Sequence, residues 1–249
     1  MASGFQFRVR ILTCSLYRTG NGMMRCCLFI LALVMVGFNA PAQHYKYIDS
    51  TRVCGITGYK KQVKADSNKR LVEIIKYVPA IKLDIRYATT NNFMHRAMYR
   101  QAKAYARLPV VKALKDIEAD LKTRGLGLKI FDAYRPYSVT VAFYETTPDT
   151  NFVANPKFGS KHNRGCAIDL TLIDLKTGKE LDMPTGFDSF SKKASANYAG
   201  ATPQQTANRE LLKTIMRTHG FTVLNTEWWH YDFDGWRNYQ LADIPFTAL

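Results

Sequence analysis

Long apolar runs, acidic residues and cysteine are all scarce in this chain. The longest apolar run, Cys26 to Phe38, has 13 residues, against the ~20 that a membrane-spanning helix needs, so no spanning helix is expected. Only 20 acidic residues stand against 35 lysines and arginines in 249 positions. Of five cysteines, Cys14, Cys26 and Cys27 fall in or ahead of the apolar run, which leaves Cys54 and Cys166 and at most one disulfide between them. There are no internal repeats, and no segment is polar enough to predict long disorder.

The apolar run has Arg25 before it and Ala40-Pro41-Ala42 after it. That arrangement reads as a secretory signal peptide cleaved before Gln43, with residues 1–22 as an upstream extension. No cysteine follows the cleavage point, so no lipid anchor is expected. The protein should be exported, periplasmic or extracellular, without a stable membrane anchor. Cleavage removes Arg8, Arg10, Arg18 and Arg25 and lowers the formal charge from +15 to +11. Such an excess suits nucleic acid or an anionic surface. For an exported chain the expected neighbour is the anionic cell envelope, and nucleic acid is not. Residues 43–70, with the cluster KKQVKADSNKR, read as a loose basic leader to a domain at 71–249. In an oxidising compartment Cys54 and Cys166 could pair, or Cys166 could pack in the core.

Within the domain, VPAIKLDIRYAT (78–89) alternates, with Ile81, Leu83 and Ile85 on one face, as a half-buried strand does. Val111, Leu114, Ile117 and Leu121 recur at helical spacing between Pro109 in the first turn and Gly125 past the end. GLKIFDAYRP (127–136) reads as a buried strand stopped by Pro136, followed by a helix over Ser138 to Tyr144. Residues 146–161 form a long loop, a length often tied to function. CAIDLTLIDL (166–175) alternates and turns at Lys176-Thr177-Gly178. Thr202-Pro203-Gln204-Gln205 is a capping box that opens a helix closed by Gly220. FTVLNTEWWHYDF (221–233) reads as the last strand. The prediction is one α+β domain on a largely antiparallel sheet flanked by helices.

Five histidines occur. His44, His95 and His219 have no carboxylate pattern that suggests chemistry. His162 and His230 do: Asp169 follows His162 by seven residues, and Glu227 precedes His230 by three. Odd spacing puts two side chains of a flat strand on opposite faces. Each pair converges only if the backbone bends, at Gly165 for the first and at the strand end for the second. With both bends, His162, Asp169 and His230 supply two nitrogens and an oxygen, the three protein ligands of a catalytic zinc. Glu227 is then left over as a general base. Core histidines with surface acids remain the alternative on spacing alone.

The segments SKHNRGCAIDLTL, EWWHY and DAYRP, together with LDIRYATTNNF, MPTGFD and NRELLKTIMRTHGF, resemble the zinc D-alanyl-D-alanine dipeptidases. The resemblance runs from about Leu83 to Phe233. It implies a fold shared with D,D-carboxypeptidases and the Hedgehog signalling domain. It also implies one Zn²⁺ on His162, Asp169 and His230, with Glu227 as proton shuttle and Arg135 as the oxyanion partner. Ser160 and Asp188 would surround a small dipeptide, with Asp188 facing its ammonium group or else capping a turn. Trp228 and Trp229 would hold the bend, and Tyr87, Asn91 and Asn92 match without a role. The activity implied is hydrolysis of D-Ala-D-Ala. A D,D-carboxypeptidase acting on longer wall peptides and a non-catalytic zinc module are the competing readings. The family's best-known members act in the cytoplasm, so the export signal is a departure. It suggests a role in releasing D-alanine from wall turnover products.

Overall fold

The computed structural model describes residues 45–149 and 152–249. The expected signal peptide lies outside these residues. In chain order they form β1 (Val53–Cys54), α1 (Ile56–Ala65), β2 (Leu71–Glu73), α2 (Ile74–Tyr77), β3 (Lys82–Leu83), β4 (Tyr105–Arg107), α3 (Leu108–Lys122), β5 (Leu126–Asp132), α4 (Tyr137–Thr146), β6 (Ala167–Asp174), α5 (Pro203–Thr218), β7 (Phe221–Leu224), β8 (Glu227–Phe233) and β9 (Leu241–Ala242). Five of the strands make the central sheet, in the order β3-β5-β6-β8-β7. Only β3 and β5 run parallel; the other pairs are antiparallel. The α+β expectation is therefore met. Among the described residues no helix is long and apolar enough to cross a membrane.

The two long helices follow their sequence signals. In α3, Val111, Leu114, Ile117 and Leu121 are buried and proline sits in the first turn. In α5, the Thr202 hydroxyl accepts from the Gln205 N–H while the Gln205 side chain accepts from the Thr202 N–H. Both satisfy N–H groups that a helix start leaves unpaired.

Three expectations are corrected. The strand at 78–89 shrinks to Lys82–Leu83, because the chain turns into a 3-10 helix at Arg86–Ala88. The alternation still holds in burial, with Ile81 and Ile85 buried and Lys82 exposed. The expected last strand is two strands, β7 and β8, joined at Asn225-Thr226. Residues 45–70 are no loose leader. β1 pairs with β9, and α1 packs through buried Tyr59, whose hydroxyl accepts from the Leu71 N–H. Lys60, Lys61 and Lys64 of the basic cluster's helix keep the exposure expected. β6, the middle strand of the sheet, is buried on both faces. Cys54 and Cys166 are both buried and free.

Candidate metal centre

Three neighbouring strands place the site in one row across the sheet. Asp132 at the end of β5 pairs with Asp169 on β6, and Asp169 pairs with His230 on β8. Directly opposed residues on antiparallel strands bring their side chains together. Asp132 reaches this face because the register shifts between Ile130 and Asp132.

His162 joins the row from a 3-10 turn, His162–Arg164, just before β6. Gly165 ends the turn at φ 70°, ψ 28°, a left-handed conformation that costs side chains with a Cβ. A Cβ there would also sit 2.5 Å from Leu71 Cδ2. This is the bend that lets a seven-residue spacing converge. The second bend is a register break in the β7–β8 pair. Val223 opposes Tyr231, yet Leu224 opposes Glu227. Trp228, Trp229 and His230 have no partner on β7 across this break, and Glu227 stands beside His230, 3.7 Å from Oε2 to Nδ1.

Three donor atoms meet at one point. His162 Nε2 lies 3.1 Å from His230 Nδ1. Asp169 Oδ1 lies 3.4 Å from the first and 3.1 Å from the second. Tetrahedral zinc with bonds of about 2.0–2.1 Å sets its donors about 3.3–3.4 Å apart, so the spacing fits. The outward nitrogens are fixed. His162 Nδ1–H donates to the Ala133 carbonyl at 2.7 Å, and His230 Nε2–H donates to Asp232 Oδ1 at 2.9 Å. In the neutral ring, each bond leaves the inward nitrogen as the one with a lone pair for a ligand. With the inward nitrogens of both imidazoles unprotonated, as metal ligation requires, buried Asp169 Oδ1 has no hydrogen bond among the described residues. Buried oxygens are rarely left so, and a cation would satisfy this one.

The electrostatics follow from burial and this crowding. Burial opposes charge on His230, but the carboxylates of Asp169 and Asp232 outweigh it and push the imidazole up to about 10. Burial likewise opposes charge on Asp169, yet His162 and His230 hold it well below the usual carboxylate range. Glu227 is pushed up to about 8 by burial, against the pull of His230 and with the charges of Asp169 and Asp188 adding to it.

Arg135 is buried over the rings of Phe143 and Tyr87, with its guanidinium carbon 4.7 and 5.3 Å from the ring centres. Its Nε and Nη2 both donate to Asp132 Oδ2, at 2.9 and 2.7 Å. The other oxygen of Asp132 accepts from Tyr99. Ser160 caps the turn that carries His162, its Oγ accepting from the His162 N–H at 3.2 Å. Asp188 holds φ 59°, and both its oxygens accept from the Tyr87 hydroxyl at 2.9 Å. Burial pushes its carboxyl up to about 7, against the Tyr87 hydrogen bond.

All seven side chains given a metal, catalytic or substrate role from the sequence line one cavity of about 250 Å³, below the ~300–1,000 Å³ usual for drug-sized ligands. Trp229 lines it too, while Trp228 donates its indole N–H to Thr185. Cys166 packs away from it in the core. His95 lies outside this cavity, His219 pairs with Asp120 at 2.8 Å, and His44 lies outside the described residues. Sequence reasoning missed Asp132, Asp232 and the hydroxyl of Tyr87. The signal for Asp232 was present: residues 230 and 232 share one face of a strand.

The sequence is similar to those of known dipeptidases. D-alanyl-D-alanine dipeptidase of Escherichia coli (strain K12) is 34% identical over 179 residues, 72% of this chain and 92% of that protein. The enzyme of the same name from Enterococcus faecalis is 29% identical over 186 residues, 67% of this chain and 88% of that one. Among solved structures, the LdcB LD-carboxypeptidase matches at 20% identity and a TM-score of 0.37, covering 54% of this chain and 61% of that one. VanYB in complex with D-alanine-D-alanine matches at 16% identity and a TM-score of 0.32, covering 54% and 75%. Likeness this weak bears no part of the assignment. The Peptidase_M15 family model, D-ala-D-ala dipeptidase, spans residues 67–243 and so takes in every strand of the central sheet and every residue of the cavity wall named above; the chain belongs to that peptidase family.

Proposed function

We propose that this protein is a zinc dipeptidase that hydrolyses D-Ala-D-Ala to two molecules of D-alanine. The convergence of His162 Nε2, Asp169 Oδ1 and His230 Nδ1 inside a small cavity, with Glu227 beside it, carries the reading. The substrate is taken from the named relatives in Escherichia coli and Enterococcus faecalis.

His162, Asp169 and His230 would hold the ion, which when bound supplies Lewis-acid activation of water and polarisation of a carbonyl. The chain's own groups do the rest. Glu227 takes a proton from the attacking water at its carboxylate. It delivers that proton to the amine nitrogen as the C–N bond breaks. A carboxyl raised by burial toward neutrality is matched to both halves of that task. Arg135, fixed by Asp132, offers its remaining donors to the negative charge that develops on the carbonyl oxygen. Asp188, set by Tyr87, receives the substrate ammonium, and Ser160 keeps its own hydroxyl proton to donate to bound substrate.

The test is a substrate panel with zinc quantified: D-Ala-D-Ala, L-Ala-L-Ala, and a pentapeptide ending in D-Ala-D-Ala. Turnover of the free D,D-dipeptide with poor turnover of the pentapeptide is expected. Preference for the pentapeptide would replace the dipeptidase reading with a carboxypeptidase one. Zinc bound with no hydrolysis of any substrate would leave a non-catalytic module.

Metal uptake should depend on pH. With its imidazole raised to about 10, His230 is protonated at neutral pH in the metal-free protein, and a ligand nitrogen must be neutral. Binding then expels at least one proton, so apparent zinc affinity should rise by about tenfold per pH unit below pH ~10. Chelator competition between pH ~6 and ~9 measures this. A flat profile would count against ligation by His230 Nδ1.

We further propose that the enzyme works outside the cytoplasm, on dipeptides released by wall turnover. The sequence of residues 23–42 supports this. Recovery of the expressed protein with an N-terminus other than Gln43, and only in the cytoplasmic fraction, would count against it.

A further inference from the structure

Asp188 and the candidate metal centre account for a dipeptide's ammonium and its scissile carbonyl, but a free dipeptide also carries a carboxylate. Two cationic side chains line the cavity, Arg135 and Lys161. Arg135 holds Asp132 through Nε and Nη2, and its remaining donors are assigned above to the developing oxyanion. Lys161 has no such role. Its side chain keeps 35% of its surface exposed, and its ammonium sits 3.2 Å from Asp232 Oδ2. That is the oxygen His230 does not use. An ammonium has three donors, and Asp232 is the one carboxylate within ion-pair distance of this one among the described residues.

Its place in the series of contacts matters. Asp188 touches Tyr87, Arg135 lies over Tyr87 and 3.9 Å from Asp169, Asp169 meets His230, His230 meets Asp232, and Asp232 meets Lys161. Asp188 and Lys161 both line the cavity that holds the three converging donors. A zwitterionic dipeptide needs an anion for its ammonium, a centre for its scissile carbonyl and a cation for its carboxylate, and this lining offers one of each. Lys161 also immediately precedes His162, at the helical-region residue that opens its turn (φ −67°, ψ −25°). The turn that presents one donor to the centre therefore presents a cation beside it.

We propose that Lys161 receives the C-terminal carboxylate of the substrate and makes a free acid, one residue beyond the scissile bond, the condition for productive binding. This rests on the dipeptidase reading above. Lys161 is then a specificity residue. It explains how the site would require a chain end, where a neutral wall would accept a peptide continuing past the cavity.

The experiment compares D-Ala-D-Ala with its C-terminal amide, D-Ala-D-Ala-NH2, in wild type, Lys161→Met and Lys161→Arg, with zinc counted in each. A lost charge-assisted hydrogen bond raises KM about ten- to a hundredfold. The wild type should show that gap between acid and amide. In Lys161→Met the KM for the acid should rise toward that for the amide, which moves far less, and Lys161→Arg should restore most of the gap. An acid–amide gap retained in Lys161→Met overturns the proposal and gives the carboxylate to Arg135. Zinc lost in Lys161→Met but kept in Lys161→Arg also overturns it, since the lysine would then act by holding Asp232 against His230. A wild type that hydrolyses both substrates at equal KM sinks this proposal alone. A wild type that hydrolyses neither sinks the dipeptidase reading instead.

Discussion

Glu227→Gln should lower kcat for D-Ala-D-Ala by about 10²–10⁴-fold, the usual worth of a positioned general base, while one zinc per chain is retained. The amide fills the same volume and can still hydrogen-bond, but it cannot accept a proton and hand it on. Retention of metal follows from the geometry. The three converging atoms belong to His162, Asp169 and His230, and Glu227 Oε2 stands 3.7 Å from His230 Nδ1. Burial already pushes the Glu227 carboxyl toward its neutral form, and the amide is its neutral isostere, so the variant should fold about as well as the wild type. Activity assays and metal analysis on the same preparation separate the outcomes. Loss of zinc with the activity would make Glu227 a ligand and end its assignment as base.

Asp132→Ala should be the most damaging single change outside the metal-binding trio. Asp132 is 1% exposed and Arg135 8%. The substitution removes both hydrogen bonds that hold the guanidinium and the partner of the Tyr99 hydroxyl. An arginine cannot shed its charge to escape burial. Breaking a buried pair by deleting one partner costs about 3–5 kcal/mol. In a chain of this size that lowers Tm by roughly 6–20 °C. Turnover should fall as well, because the guanidinium loses its fixed aim. Thermal unfolding followed by circular dichroism, together with kcat, measures both. A Tm equal to that of the wild type would mean that Arg135 finds another anchor and that Asp132 does not position it.

How far the sequence foretold these features depends on what each one rests on. Helices α3 and α5 were legible because periodicity, proline and caps agreed on one reading. The break between β7 and β8 was not, because Asn225-Thr226 has no glycine or proline and apolar residues continue on both sides. Residues 45–70 were misread because their anchors are few and far apart. Tyr59 and Cys54 hold the segment, while charged lysines dominate its composition. At the site, spacing could say that His162 and Asp169 meet only if the chain bends at Gly165, and the left-handed Gly165 supplies that bend. It could not say that Asp132 would stand in the same row, since that depends on a register shift one residue wide. Which group braces each histidine is likewise a matter of cross-strand register and turn geometry, which no local pattern encodes.

The pairing of Val53 and Cys54 with Leu241 and Ala242 bears on how the molecule is made. The two partners are separated by nearly the whole domain, and Asp243 N–H also closes on the Cys54 carbonyl at 3.0 Å. On the ribosome, the first of these strands must wait, unpaired, until the last has emerged. Contacts of such long sequence separation slow folding, because the loop entropy is lost before the contact is gained. The domain therefore closes like a clasp after synthesis, and until then its first strand presents an open edge that another chain could take.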